Sequence, residues 1–134
     1  MIKKLHHVGI AVNKLKESVA FYEHLLGVKP LYIRDAPCQQ ARAAVFRVGE
    51  GTEIELLESS GPGSAIGKFI ANRGPGLHHI CFEVDSMDDD LKEMAGKGIE
   101  LIDQQGRDGL AGQIGFLNPK STQGVLIQLV QCEK

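Results

Sequence analysis

Two short stretches of the chain read as copies of each other, and this repeat limits the folds open to the sequence. They are LHHVGIAV at residues 5–12 and LHHICFEV at residues 77–84. Both alternate with a period of two, which predicts strands whose successive side chains point to opposite faces of a sheet. The pattern places His7 and His79 on the face opposite the large apolar residues. Because Gly9 and Ala11 beside His7 are small, that face has room for a ligand.

The segments that follow the two copies repeat as well. Each copy precedes a helix with apolar residues at helical spacing, begun by a polar cap (Asn13 or Ser86) and ended by a glycine (Gly27 or Gly98). Further strands are predicted at residues 31–35, 41–48 and 53–58, and again at 99–102, 113–117 and 125–130, with a glycine-rich loop at 106–112. A short helix at 65–72 lies in a Gly/Pro-rich linker. The predicted fold is α+β, a single domain of two βαβββ modules (about residues 3–58 and 75–131) sharing a mixed eight-stranded sheet.

Composition excludes several classes of partner. A net charge of −2 gives no basic footprint for nucleic acid, and no apolar run is long enough to cross a membrane. The first residues, MIKKLHH, lack the apolar core of a signal peptide. The three cysteines form no Cys-x-x-Cys pair, which favours free thiols in a reducing compartment. We therefore expect a soluble cytoplasmic protein with neither nucleic acid nor membrane as a partner.

The last strand of each half carries a polar residue opposite its core face. Aligning EIELLE with LIQLVQ pairs Glu55 with Gln128. If the halves are related by an approximate two-fold axis, His7, Glu55, His79 and Gln128 meet in a cup. Two imidazoles, a carboxylate and an amide oxygen suit a borderline divalent ion such as zinc, cobalt, nickel or manganese.

Other interpretations of these residues remain open. Glu55 is also explained as a solvated strand residue, because Glu53 shares its face. Gln128 within VLIQLV is harder to explain in this way, because a buried amide without a partner is costly. His6 and His78 point the other way from the neighbouring ligand histidines and are interpreted as structural.

Five segments carry a family resemblance over nearly the whole chain. They are HHVGIAV at 6–12, FYEHLLG at 21–27, GTEIELLE at 51–58, AIGKFIANRGPGLHHICFEVD at 65–85 and FLNPKSTQGVLIQL at 116–129. On these segments the chain resembles the vicinal-oxygen-chelate (glyoxalase/bleomycin resistance/dioxygenase) superfamily, and within it the branch that epimerises methylmalonyl-CoA. The resemblance implies paired βαβββ modules, a divalent metal (cobalt first), a CoA thioester substrate and a homodimer.

The resemblance also assigns roles to individual residues. His7 and His79 match the metal-binding histidines, and Glu55 matches the polar ligand of the first half. A metal that chelates the thioester carbonyl and the carboxylate stabilises the charge formed when the C2 proton leaves. Carboxylates nearby take that proton from one face and return it on the other.

The chain departs from this branch at two positions. Gln128 stands where the branch typically has a glutamate that serves as ligand and base, and Gln39 is the nearest match to a second basic glutamate. An amide oxygen can bind a metal, but it does not exchange protons at neutral pH. Glu55 is then the principal base, with Glu83 or a metal-bound water as candidates for its partner.

Two further residues and two further functions complete the expectations. Lys120 and Ser121, in the NPKST turn, are expected to contact phosphate or carboxylate oxygens of the substrate, although Lys120 is equally explained as a solvated turn residue. One alternative function is a glyoxalase I-like lactoylglutathione lyase. The other is a metal- and ligand-binding module that has lost its bases.

Overall fold

The computed structural model describes residues 1–133, which contain eight strands, three α-helices and two 3₁₀ turns. The strands are β1 (Ile2–Val12), β2 (Tyr32–Ala36), β3 (Ala41–Val48), β4 (Thr52–Ser59), β5 (Gly76–Val84), β6 (Arg107–Asp108), β7 (Gly112–Leu117) and β8 (Ile127–Cys132). The helices are α1 (Leu15–Leu26), α2 (Ala65–Arg73) and α3 (Met87–Gly96). The 3₁₀ turns are Pro37–Gln39 and Pro119–Ser121. The order of strand, helix and three strands occurs twice, so the predicted α+β fold is confirmed.

The strands form a mixed sheet in the order β2-β3-β4-β1-β5-β8-β7-β6. The pairs β1/β4 and β5/β8 are parallel, whereas β2/β3, β3/β4, β6/β7 and β7/β8 are antiparallel. The eight-stranded mixed sheet predicted from the repeat is therefore present. Within residues 1–133, no helix combines the length and the apolar content needed to cross a membrane.

The chain divides into two compact units. One is contiguous, His7–His78, and the other combines Met1–His6 with the chain from His79 onward. Strands β1 and β5 each run from one unit into the other. We call these the contiguous unit and the split unit.

The contiguous unit packs α1 against β1, β3 and β4. Its buried cluster consists of Val12, Leu15, Val19, Ala44, Phe46 and Leu56. Helix α1 ends at Gly27, whose φ of 72° is the left-handed conformation expected there. The predicted cap Asn13 is wrong, since Lys14 is the N-cap residue and makes no side-chain cap bond. The Glu58 carboxylate, from β4, instead accepts a hydrogen bond of 2.7 Å from the Leu15 amide.

The split unit packs α3 against β5, β7 and β8. Its buried cluster consists of Val84, Met87, Leu91, Met94, Leu117 and Leu129. Ser86 is the N-cap residue of α3, as predicted, but its side chain accepts no cap bond. Its backbone amide donates to the Asp90 carboxylate at 3.1 Å.

The strand predicted at residues 99–102 is wrong. The segment forms one isolated bridge, between Leu101 and Leu117, and β6 lies later, inside the predicted loop 106–112. The reason is a local break in the ladder. The amides of Ile102 and Asp103 both donate to the Phe116 carbonyl, and the Asp103 carboxylate accepts from the Phe116 amide. Two successive donors on one acceptor cannot continue the alternating pattern of a strand.

Candidate metal centre

The contiguous unit brings His7 and Glu55 together. In the parallel pair β1/β4, Gly9 lies opposite Glu55 and His7 lies opposite Glu53, so these side chains share one face of the sheet. His7 Nε2 lies 3.7 Å from Glu55 Oε1, and each residue is 6% exposed. Gly9 and Ala11, the small neighbours of His7 on this face, are both buried.

The environment of Glu55 disfavours its charged form. Burial and, to a lesser extent, the negative charge of Glu53 together raise the pKa of Glu55 from 4.5 to about 7. Glu53 itself lies 3.8 Å from Arg47 Nη2. A divalent cation would compensate the buried negative charge, which is one respect in which these residues fit a metal.

The split unit brings His79 and Gln128 onto one face. In the parallel pair β5/β8, Cys81 lies opposite Gln128, and His79 precedes Cys81 by two residues on the same strand. His79 and Gln128 are each 2% exposed. The His79 ring packs edge-on against Phe116, which lies directly opposite Gln128 on β7.

The amide oxygen of Gln128 supplies an independent test of the fit to a metal. Among residues 1–133, this buried Oε1 has no hydrogen-bond partner. An unsatisfied buried acceptor costs about 1–3 kcal/mol, and a bound cation would give it a partner. The Gln128 oxygen is therefore available to bind a metal ion.

The two units are equivalent in register. Glu55 lies opposite the second residue after His7, and Gln128 lies opposite the second residue after His79. Each unit thus presents one imidazole and one polar side chain from its parallel strand pair. His7, Glu55 and His79 each offer a donor atom of a kind that borderline divalent metals bind.

A tyrosine that the sequence analysis did not single out shares a row with Glu55. Tyr32 on β2 lies opposite Val45, and Val45 lies opposite Glu55. Burial raises the pKa of Tyr32, and the charges of Glu53 and Glu55 contribute. The Tyr32 phenol is thus neutral and close enough to Glu55 to feel its charge. Its position in the row of Glu55 follows only from the pairing of β2, β3 and β4.

The structure supports the structural interpretation of His78. Its ring packs edge-on against Phe69, with centroids 5.0 Å apart. Burial lowers the pKa of His78 to about 4, so the ring is neutral at physiological pH.

The remaining predicted site residues lie in two turns. Gln39 is the last residue of the first 3₁₀ turn, and its Oε1 is buried with no hydrogen-bond partner in residues 1–133. The Ser121 hydroxyl accepts from the Glu100 amide at 2.9 Å and donates to the Asn118 carbonyl at 3.2 Å. It therefore holds the second turn in place, and Lys120 beside it is exposed at the turn surface.

Glu83 is engaged by other side chains. Its Oε2 lies 3.1 Å from Lys3 Nζ, and its Oε1 accepts from the Cys132 thiol at 3.6 Å. Burial alone would raise the pKa of Glu83, but the hydrogen bond and charge of Lys3 lower it below its ordinary value. A carboxylate with a lowered pKa is a weak proton acceptor, so this environment disfavours Glu83 as a second base.

Comparison with known proteins identifies a matching family and several related proteins. Residues 6–117 match the profile of the Glyoxalase/Bleomycin resistance protein/Dioxygenase superfamily. The chain is 37% identical to ethylmalonyl-CoA/methylmalonyl-CoA epimerase of Cereibacter sphaeroides, with 98% of this chain and 99% of that protein covered.

Two solved structures are similar over the full length. The crystal structure of methylmalonyl-CoA epimerase from Mycobacterium tuberculosis superimposes with a TM-score of 0.95 at 32% identity, covering 99% of this chain and 90% of the other. A Streptomyces coelicolor methylmalonyl-CoA epimerase in complex with 2-nitronate-propionyl-CoA gives a TM-score of 0.93 at 31% identity, with both chains fully covered.

Proposed function

The chain belongs to the glyoxalase/bleomycin resistance/dioxygenase superfamily, and we propose on this basis that it is an epimerase acting at C2 of methylmalonyl-CoA. Full-length similarity to methylmalonyl-CoA epimerases supports the proposal. The observation that carries it is the buried pair of His7 and Glu55, whose Nε2 and Oε1 atoms lie 3.7 Å apart.

We propose that His7, Glu55, His79 and Gln128 together hold one divalent metal. Their donor set, the raised pKa of Glu55 and the unpartnered Gln128 oxygen support this assignment. Cobalt is the ion we expect, with zinc, nickel and manganese as the competitors of the same class. A divalent ion acts as a Lewis acid, stabilising negative charge on substrate oxygens.

Glu55 is the side chain suited to remove the C2 proton. The C–H bond breaks, the proton goes to the Glu55 carboxylate, and the electron pair moves onto the thioester carbonyl oxygen. Burial raises the pKa of Glu55 in the metal-free chain, and a carboxylate with a raised pKa is a stronger proton acceptor than an ordinary one.

The amide side chains of Gln128 and Gln39 cannot act as acids at neutral pH. The proton delivered to the opposite face of C2 therefore comes from another donor. We propose water for this step, with Gln39, Lys120 and Ser121 contacting the substrate. Such a reaction carries solvent hydrogen into the product at each inversion. The Oε1 atom of Gln39 is buried and has no hydrogen-bond partner in residues 1–133, which supports a role in accepting a hydrogen bond from the substrate.

Deuterium exchange at C2 of methylmalonyl-CoA, followed by NMR in deuterated water, tests the proposal. Cobalt-loaded wild type is compared with Glu55→Gln and with Glu53→Gln, a matched control two residues away on the same face. Exchange in the wild type and in Glu53→Gln, lost in Glu55→Gln with cobalt still bound, supports both the reaction and the base. Exchange that survives in Glu55→Gln contradicts the assignment of the base.

A second function has one observation in its favour. Because Gln128 and Gln39 are amides, the chain is also suited to bind a metal and a CoA thioester without turnover. No exchange by the cobalt-loaded wild type, together with saturable binding of methylmalonyl-CoA measured by calorimetry, would favour this binding module over the epimerase.

We also propose that the protein works as a cytoplasmic homodimer. Light scattering of the purified chain measures its mass in solution, and cell fractionation measures its location. A monomeric mass by light scattering would contradict the homodimer, and recovery outside the cytoplasmic fraction would contradict the location.

A further inference from the structure

A second group of metal-binding side chains lies in the split unit. His6, Glu83 and Cys132 each offer one donor atom, and the three atoms lie within 4.8 Å of one another. They come from three different strands, β1, β5 and β8. None of them belongs to the set proposed above for the catalytic metal.

The contact between Glu83 and Cys132 already has the spacing of metal ligands. Cys132 Sγ lies 3.6 Å from Glu83 Oε1. In a tetrahedral zinc site, with bonds of about 2.3 Å to sulfur and about 2.1 Å to oxygen, the two donors stand about 3.6 Å apart. The other oxygen of Glu83, Oε2, lies 3.1 Å from Lys3 Nζ. Lys3 therefore fixes the carboxylate while Oε1 faces the sulfur.

An ion has a route to this group. Glu83 and Cys132 line a cavity of about 600 Å³, which Lys3, Gln131 and Glu133 also border. His6, 7% exposed, lies at the buried side of the group. One imidazole nitrogen, one carboxylate oxygen and one sulfur select borderline and thiophilic ions over magnesium or calcium.

We propose that His6, Glu83 and Cys132 form a second metal site, for a zinc-class divalent ion with its fourth position open to water. Binding replaces the proton of the Cys132 thiol, which passes to solvent while sulfur bonds to the ion, so no redox change is involved. The site is independent of the proposed function, because neither its ligands nor its occupancy enters the reaction at C2.

Cobalt is the probe, because bound sulfur gives a near-ultraviolet charge-transfer absorption that nitrogen and oxygen ligands do not. Titration of the metal-free full-length chain is expected to show this absorption and a second equivalent of bound cobalt. Cys132→Ser abolishes the absorption and one equivalent, whereas Cys38→Ser, a matched control in the first 3₁₀ turn, retains both. His79→Ala removes the other equivalent and leaves the absorption intact.

Two results would overturn the proposal. The first is a wild-type protein that binds cobalt without the charge-transfer absorption. The second is an absorption lost in Cys81→Ser but kept in Cys132→Ser, which would assign the sulfur to the buried Cys81 on β5. If Cys132→Ser does not fold by circular dichroism, Glu83→Gln decides instead: it is expected to weaken cobalt binding at least tenfold while the absorption persists at saturation.

Discussion

The raised pKa of Glu55 predicts an unusual dependence of stability on pH. In the metal-free protein, folding raises this pKa from 4.5 to about 7. Between these values the folded chain keeps a proton that the unfolded chain loses, so the free energy of unfolding falls as pH rises. The contribution is complete below pH 4.5 and is lost as pH passes 7. Since one pKa unit corresponds to about 1.4 kcal/mol, the loss amounts to about 3 kcal/mol.

His78 acts in the opposite direction and has to be separated from Glu55. Its pKa falls from 6.5 to about 4 on folding, so the unfolded chain binds the extra proton and stability rises between pH 4 and 6.5. Glu55→Gln keeps the neutral, buried side chain at every pH and leaves His78 unchanged. The difference between wild type and this variant therefore isolates Glu55.

Urea unfolding with a chelator present, at pH steps from 4.5 to 8, provides the measurement. We expect the two proteins to differ by a constant amount near pH 4.5, and Glu55→Gln to gain about 3 kcal/mol over wild type by pH 8. Cobalt at pH 8 is expected to reverse the gain by stabilising the wild type more. A difference that does not change with pH would refute the buried environment assigned to Glu55.

Three other changes test the site and the core. The swap Glu55→Gln with Gln128→Glu is expected to recover deuterium exchange that Glu55→Gln alone loses, because the two positions are equivalent in register; an inactive, cobalt-loaded double variant contradicts this. Phe46→Ala, at a position with no exposed surface, is expected to lower the free energy of unfolding by about 3–5 kcal/mol in urea titrations. Gly112→Ala is expected to destabilise strongly, since φ is +146° and a Cβ would collide with the Gln131 carbonyl, whereas Gly61→Ala, with nothing within 4 Å, shifts the midpoint little.

Patterns confined to neighbouring residues predicted most of the fold. The strand predicted at residues 41–48 matches β3, and the duplicated His-His strands placed β1 and β5 to within a few residues. The failures involve distant groups. Glu58 on β4, not Asn13, satisfies the start of α1, and the contacts of Asp103 with Phe116 prevent a strand at 99–102. No local pattern contains either contact.

For the candidate site, too, the sequence predicted the features that depend on local patterns and missed those that depend on distant contacts. The alignment of two strand sequences predicted that Glu55 and Gln128 occupy equivalent positions, and the register confirms it. Tyr32 was missed, because its position in the row of Glu55 depends on two successive strand pairings. The contact of Glu83 with Lys3 and Cys132 also joins residues far apart in sequence. The positions of Tyr32 and Glu83 relative to their neighbours therefore depend on contacts between residues that are far apart in sequence.

The split of β1 between the two units has a consequence for the order of folding during synthesis. The contiguous unit can assemble once residue 78 has been made, but residues 2–6 belong to the unit whose other members begin at His79. At about 5–20 residues per second, this segment waits roughly 4–14 seconds for the first of its partners. An unpaired strand edge invites association with other chains, and charged side chains discourage it. Lys3 and Lys4 thus stand where a nascent chain most needs protection from aggregation.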